Sequence, residues 1–357
     1  MALLPLVLAA CFSTTPSPAL RQLAQLPGWS DDAAFDAFPA LSASCGVIAT
    51  LSAERPAALG GAPTEWRAAC AAIDSLKAAF VTDHHAALRD VLEANFVALD
   101  PGGATEALVT GYYEPILDGS RVKDAQHAYP LYRLPATPTR FDRAEIDAGA
   151  LAGRGLELLW VSDPVDAFFL QVQGSGRVRL PDDTIVRVGF AGTNERGYVS
   201  IGRAMVDAGI MTKEEVTLQT IRAYLAAHPD EVMDWLHKNP RYVFFRELGP
   251  SAESGPIGAL NVPLVPGRSV AIDPDFVSLG LPLWLNTTRP DTGGALQRLV
   301  VAQDKGGAIK GPGRIDLFWG AGEEAELLAG EMKQSGVYWV IVPRQVGQRW
   351  LAQQAGS

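Results

Sequence analysis

Two carboxylates flank a glycine-rich turn beside a short apolar strand in the segment Asp304-Lys305-Gly306-Gly307-Ala308-Ile309-Lys310-Gly311-Pro312-Gly313-Arg314-Ile315-Asp316-Leu317-Phe318-Trp319-Gly320. A carboxyl pair in that setting can carry acid-base chemistry. Glycine permits close approach of backbone to a ligand, and an aspartate at the edge of the run Leu317 to Trp319 is partly desolvated, which raises its pKa toward that of a working acid. The competing expectation is that such aspartates merely cap or solvate the turn. A second polar set comes from Gln171-Val172-Gln173-Gly174-Ser175-Gly176, read as the end of a strand Phe168 to Gln173 in which Gln171 and Gln173 share one face. Amides on one face suit sugar hydroxyls and acetamido groups, unless they are an ordinary solvated strand face. Tyr112, Tyr113, Phe168, Phe169 and Trp319 offer either core packing or platforms for sugar rings. Of Tyr112 and Tyr113, only one is expected to face the core, because neighbours on a strand point to opposite faces.

Other motifs fail on their chemistry. Gly320-Ala321-Gly322-Glu323-Glu324-Ala325 has dinucleotide-site spacing, but two glutamates at a helix start would repel a pyrophosphate, and no acidic residue stands near the end of the strand Val337 to Val342 to hold a ribose. Gly306 to Gly311 has P-loop spacing, yet Pro312 occupies the lysine position. Gly174-Ser175-Gly176 lacks the flanking glycines of a nucleophile elbow. Three cysteines and five histidines show no zinc spacing, and the adjacent pair His84-His85 does not share a helix face. No metal and no cofactor are expected.

The elements that must position these groups come from a chain of 357 residues, 48% of them hydrophobic, enough for a substantial core and about two domains. Its 40 acidic residues against 30 Lys and Arg give a net charge of −10. Without any Lys/Arg run, this argues against a nucleic-acid partner and favours neutral or moderately charged ligands. The apolar start Met1 to Cys11 resembles a secretory segment, and Leu8-Ala9-Ala10-Cys11 looks like a bacterial lipobox with Cys11 as the lipidated residue, followed by a Ser/Thr/Pro tether from Ser13 to Pro18. No Lys or Arg precedes the apolar run. Cys45 and Cys70 are left to pair in an oxidising envelope or to remain buried thiols.

Thr64 to Val97 has helical periodicity, with Trp66, Ala69, Ile73, Leu76, Phe80 and Leu88 on the apolar face. Short strands follow over Ala107 to Tyr113, Leu156 to Val161, Phe168 to Gln173, Arg177 to Leu180 and Thr184 to Phe190. A helical block runs from Ser200 to about His237, where Thr212-Lys213-Glu214-Glu215 reads as a capping box opening a helix through Ala227. Strand character returns at Asn261 to Pro263, Ser269 to Ile272, Pro282 to Asn286, Gln297 to Ala302 and Arg314 to Trp319. A helix near Glu323 to Gln334 and a strand Val337 to Val342 close the pattern. The order implies β structure interrupted by an insertion, with a ligand cleft between the two.

Several co-ordered runs then resemble one family, the membrane-bound lytic transglycosylases of type A that cut peptidoglycan. These are Val109-Thr110-Gly111-Tyr112-Tyr113-Glu114-Pro115, Gln171 to Gly176, Gly189-Phe190-Ala191-Gly192-Thr193-Asn194, Asn239-Pro240-Arg241-Tyr242-Val243-Phe244-Phe245 and Gly255-Pro256-Ile257-Gly258-Ala259. The C-terminal part resembles the family's three-aspartate domain, with Asp273, Asp304 and Asp316. The resemblance implies a mainly β fold with helices (α+β): a double-psi β-barrel over 21–108 and 247–345, an inserted β domain over 109–246, a lipoprotein signal and tether over 1–20, and a tail over 346–357. It implies Asp316 as acid and then base, supported by Asp304 and Asp273, in cleavage of the β-1,4 bond from N-acetylmuramic acid to N-acetylglucosamine that leaves a 1,6-anhydro ring. Substrate contacts are expected from Thr110, Gly111, Tyr112, Gln171, Gln173, Gly174, Ser175, Gly176, Asn194, Lys310 and Arg314. The implied partners are peptidoglycan strands, a membrane through the lipid anchor and a cell-wall synthesis or hydrolysis complex. With Phe12 after Cys11, the expected place is the periplasmic face of a Gram-negative outer membrane. Two alternatives are an inverting hydrolase using Asp304 with Asp316, and an expansin-like wall-binding protein without catalysis.

Overall fold

Strand-forming runs on both sides of an insertion build one sheet and the insertion builds a second in the computed structural model, which describes residues 18–50, 61–100, 105–249 and 255–355. Cys11, the lipobox and the tether up to Ser17 lie outside them. The chain runs through β1 (Ala19–Arg21), α1 (Phe38–Thr50), α2 (Pro63–Ser75), α3 (His84–Asn95), β2 (Phe96–Asp100) and β3 (Thr105–Glu114). After Pro115 come β4 (Ile116–Ser120), β5 (Tyr129–Tyr132), α4 (Arg143–Glu145), β6 (Glu157–Val161), α5 (Pro164–Gln173), β7 (Ser175–Arg179) and β8 (Ile185–Thr193). Helices α6 (Ile201–Asp207), α7 (Leu218–Ala227) and α8 (Val232–Leu236) precede β9 (Val243–Glu247). The remainder is β10 (Ser269–Ala271), β11 (Pro282–Thr288), β12 (Ala295–Asp304), β13 (Arg314–Ala321), α9 (Glu323–Glu331), β14 (Lys333–Pro343) and α10 (Arg344–Ala355).

The larger sheet has the order β1-β2-β14-β11-β12-β10-β13-β3, and β3 also pairs with β14. Strands β14, β11, β12, β10, β13 and β3 therefore close on themselves, leaving no free edge among them. Two pairings, β10 with β12 and β13 with β3, are parallel. Leu283, Leu285, Leu299, Val301, Ile315, Leu317, Val340 and Val342 fill the core, and α1 to α3 cover its outside. Burial on both faces explains why β2 is buried at every position and shows no alternation. The smaller sheet, β5-β6-β4-β7-β8-β9, comes wholly from the chain between Ile116 and Glu247. Its core of Leu117, Leu131, Leu159, Val161, Val178, Val188 and Phe245 includes Leu170 of α5. The far side of α5 packs Phe168 and Phe169 against Met205, Leu225 and Leu236 of the helical block.

The structure departs from several expectations. Phe168 to Gln173 is helix, not strand: Asp163 caps it by accepting from the Val165 N–H at 2.7 Å, Pro164 occupies its first turn, and Gly174 ends it at φ 81°. Thr212 and Glu215 do form the reciprocal bonds of a capping box, at 2.9 and 3.3 Å, but these close only a turn. Thr217 adopts extended backbone and caps α7 through the Thr220 N–H at 3.1 Å, so the helix starts at Leu218. Thr64 to Val97 is two helices, and Phe80, expected on the apolar face, stands fully exposed in the connection before Asp83 caps α3. Asn261 to Pro263 makes an isolated bridge to Ile257 rather than a strand. Residues 346–355, expected as a tail, belong to α10, whose Val346 is buried in the main core. Cys45 and Cys70 are paired, joining α1 to α2 with a sequence separation of 25, a loop whose closure contributes about 3 kcal/mol. Among the described residues no helix is long and apolar enough to cross a membrane.

Candidate active site

Strand register brings the two carboxylates together. Ala271, the last residue of β10, pairs with Asp304 of β12 on one side and with Asp316 of β13 on the other. Asp316 is in turn the register partner of Thr110 in β3. Because Ile315 and Leu317 are fully buried in the core, alternation turns Asp316 the opposite way, toward a cavity of about 530 Å³. One wall of that cavity is the C-terminal end of α5 with Gly174 and Ser175; the opposite wall is Ala259, Asp304, Lys305 and the Gly306-Gly307 turn. A second cavity of about 130 Å³ shares Asp316, Gln171, Arg241 and Gly307 with the first. A third, of about 330 Å³, shares Val172 and Gln173 with the first. The three adjoin through these shared residues along a groove walled by both sheets.

Asp316 is half-buried at the floor of this groove. Desolvation by the surrounding protein pushes its pKa up to about 6, against the lowering effects of the Thr110 hydrogen bond and the Arg314 charge; Asp304 adds a smaller upward push. Thr110 Oγ1 donates to Asp316 Oδ1 at 2.6 Å, and Arg314 Nη2 donates to Thr110 Oγ1 at 3.3 Å. Asp304 sits differently. Its Oδ1 accepts the N–H groups of Ala259 and Lys305, each at 2.9 Å, and its Oδ2 accepts the Tyr112 hydroxyl at 3.0 Å. Desolvation raises its pKa in spite of those donors, and both oxygens are engaged. Asp273 is buried beneath the glycine turn. Its Oδ2 accepts the Gly311 N–H at 2.8 Å, which holds its pKa low, and Lys310 Nζ lies 3.9 Å from its Oδ1. Gly311, at φ 88°, takes a left-handed conformation that favours glycine.

Of the residues expected to contact substrate, Tyr112, Gln171, Gln173, Gly174, Ser175 and Lys310 line the main cavity. Gln171 and Gln173 reach it from the end of a helix and not from a strand face, and both carbonyl oxygens are engaged. Gln171 Oε1 accepts from Arg143 Nη2 at 2.8 Å and the Val243 N–H at 3.1 Å. Gln173 Oε1 accepts the Tyr113 N–H at 3.1 Å, tying α5 to β3. Thr110 and Gly111 border the third cavity instead. Gly111 serves packing, since a Cβ there would come within 2.7 Å of the Trp319 ring. Gly176 is likewise a packing position, with Leu170 Cδ1 at 2.3 Å from where its Cβ would stand. Asn194 is 1% exposed and knits loops together: its Nδ2 donates to the carbonyls of Phe141 and Pro240, each at 2.8 Å, and its Oδ1 accepts the Tyr242 N–H at 2.9 Å. Arg314 holds Thr110 and the Leu108 carbonyl rather than lining the cavity. Tyr112 and Tyr113 are both buried, in different clusters on opposite faces of β3, so neither is a free platform.

Sequence reasoning missed Arg143, Tyr198, Phe190, Arg241 and Asn261, which all line the groove. Arg143 is 3% exposed and binds the carbonyls of Asn239 and Arg241, at 3.0 and 2.6 Å, so it fixes the groove wall. Phe190 is exposed on β8 and Asn261 takes a positive φ of 62°; the sequence signals for them were the run Gly189 to Asn194 that holds Phe190 and the Pro/Gly-rich stretch around Asn261.

Comparison with known proteins places the fold and the family. A model described as the MltA specific insert domain matches residues 108–142 and 136–246, and one described as the 3D domain matches 268–342. A membrane-bound lytic murein transglycosylase A of Vibrio cholerae is 37% identical over 245 residues, 66% of this chain. That match spans 65% of the relative's length, just under two thirds. The crystal structure of a membrane-bound lytic murein transglycosylase from Agrobacterium tumefaciens is 33% identical with a TM-score of 0.82, covering 94% of this chain and 99% of that one. Escherichia coli MltA with bound chitohexaose is 28% identical with a TM-score of 0.71, covering 92% and 94%. The fold is mixed α+β with a 3D domain and an inserted MltA-specific domain, and the chain belongs to the MltA family of membrane-bound lytic murein transglycosylases.

Proposed function

We propose that the chain cleaves peptidoglycan without water, at the β-1,4 bond between N-acetylmuramic acid and N-acetylglucosamine, with Asp316 as the sole catalytic acid and base. The observation that carries this is a carboxyl with a pKa of about 6 at the floor of a groove walled by both sheets. Protonated Asp316 donates to the leaving glycosidic oxygen, and its carboxylate then takes the proton from the muramoyl C6 hydroxyl as the C6 oxygen attacks the anomeric carbon. The nucleophile belongs to the substrate, so its effective molarity is high and no water needs placing. Asp304 and Asp273 are support: Asp304 fastens Tyr112 to the Ala259 and Lys305 backbone, and Asp273 pins the glycine turn. Gln173, Gly174, Ser175 and Lys310 are the nearest candidates for contact with the glycan.

An inverting hydrolase would need Asp304 as a base that activates water. Three donors already occupy its two oxygens, which favours the lyase. The six-stranded closed sheet fits a double-psi β-barrel, and the chitohexaose bound to the Escherichia coli relative supports a β-1,4-linked aminosugar polymer in the groove. The names of the relatives support a membrane-associated place in the bacterial envelope, which Cys11 would provide through its lipid. Digestion of purified sacculi with mass spectrometry of the products tests the reaction. Release of 1,6-anhydromuropeptides is expected; reducing ends would establish a hydrolase, and no release a wall-binding protein.

A further inference from the structure

Arg241 stands apart from the other cations around the groove. Lys305, Lys310 and Arg246 are exposed, and the buried Arg143 already donates to two carbonyls and to Gln171 Oε1, whereas Arg241 is half-buried in the walls of both cavities that contain Asp316. Its backbone is held from two sides: its N–H donates to Asn239 Oδ1 at 3.2 Å, and its carbonyl accepts Arg143 Nη2 at 2.6 Å. Its guanidinium lies along the glycine turn, where a Cβ on Gly307 would come within 2.7 Å of Nη1. A glycine at 307 thus makes room for the guanidinium. Among the described residues no carboxylate lies within 4.0 Å of it. The arginine that acts on the Asp316 carboxyl is Arg314, so the Arg241 charge is not engaged in holding that group ionised. A partly desolvated guanidinium with a fixed backbone and no counter-charge favours an incoming anion, above all a planar carboxylate.

We infer that Arg241 receives a carboxylate carried on the 3-O branch of the muramoyl unit, and so selects muramoyl glycan over chitin-type glycan. This rests on the peptidoglycan reading above. The two polymers share the β-1,4 backbone and the acetamido groups; they differ in the lactyl ether at O3. In peptide-free strands the lactyl carboxylate is free. In stem-bearing strands it is an amide, and the nearest free carboxylates lie along the peptide.

The test is calorimetric binding in an Asp316→Asn background, with and without Arg241→Gln, using chitohexaose, peptide-free glycan and stem-bearing glycan. Arg241→Gln is expected to weaken binding of a carboxylate-bearing glycan at least tenfold and to flatten its salt dependence, while chitohexaose affinity changes less than twofold. Arg241→Lys should restore part of the loss. Loss confined to peptide-free strands identifies the lactyl carboxylate, and loss confined to stem-bearing strands identifies a stem carboxylate. Equal loss on chitohexaose, or no loss on either muramoyl glycan, overturns the inference. The cleavage reading fails by a different sign, the absence of anhydro products from the wild-type protein.

Discussion

Thr110 Oγ1 donates to Asp316 Oδ1 across 2.6 Å, between register partners on two parallel strands. That bond sets the carboxyl against its surroundings. Burial favours the protonated form, while Thr110 and Arg314 favour the charged one, and burial prevails with a pKa of about 6. An acid poised there can give up a proton and take one back within a single turnover.

Thr110→Val keeps the shape of the side chain and removes the donor. Since the Thr110 bond lowers the Asp316 pKa, its loss moves the alkaline limb of the activity profile to higher pH, and stability falls by about 1 kcal/mol. Rates measured from pH 4 to 9 check the sign; a limb that moves to lower pH would contradict it.

Asp304→Asn removes a like charge that raises the Asp316 pKa, so the same limb moves to lower pH. The variant also loosens the anchor of Tyr112 and the Ala259 backbone. A misplaced groove wall costs roughly tenfold to a hundredfold in kcat/KM. The opposite signs of these two shifts, read in one series of pH profiles, separate an electrostatic role from general damage.

Asp316→Asn should stabilise the protein at neutral pH. A carboxyl whose pKa rises from 3.8 to about 6 on folding binds its proton more tightly in the folded state, so stability is lost as pH climbs through that window. Replacing it with a neutral amide recovers at most about 3 kcal/mol above pH 6 and nothing below about pH 4. Thermal melts at pH 4 and pH 7 provide the comparison, and an equal difference at both would contradict the assignment.

Asn194→Ala is expected to act on folding and not on recognition. It strands the Phe141 and Pro240 carbonyls and the Tyr242 N–H, at a cost of roughly 2 to 4 kcal/mol. Denaturant melts should show that loss, while KM of the folded fraction stays within twofold.

Much of this was legible in the sequence, and the failures have physical causes. The strands of the closed sheet announce themselves because Val, Ile and Leu runs are cut by Gly and Pro, as at Pro282 to Asn286 and Arg314 to Trp319. The Asp304 and Asp316 pair stands out because a glycine turn separates them. α5 was misread because Leu170-Gln171-Val172-Gln173 alternates as a strand does, while its true boundaries, Asp163-Pro164 and Gly174, are helix signals. Asn194, Gly111 and Gly176 look like contact residues in sequence, yet polar and small residues are equally needed where loops are pinned or strands pack closely. Tyr198 gave no signal, and Arg241, though inside the run Asn239 to Phe245, was not read as a site residue, because their proximity to Asp316 depends on how two sheets meet, which no local spacing encodes.

The central claim is that one carboxyl performs both proton transfers. Digestion of sacculi by wild-type protein and by Asp316→Asn, with anhydro-muropeptides counted by mass spectrometry and chitohexaose affinity measured in parallel, addresses it most directly. The account predicts anhydro products from the wild type, none from the variant, and unchanged affinity. Anhydro-muropeptides released by the variant at a rate near that of the wild type would contradict it.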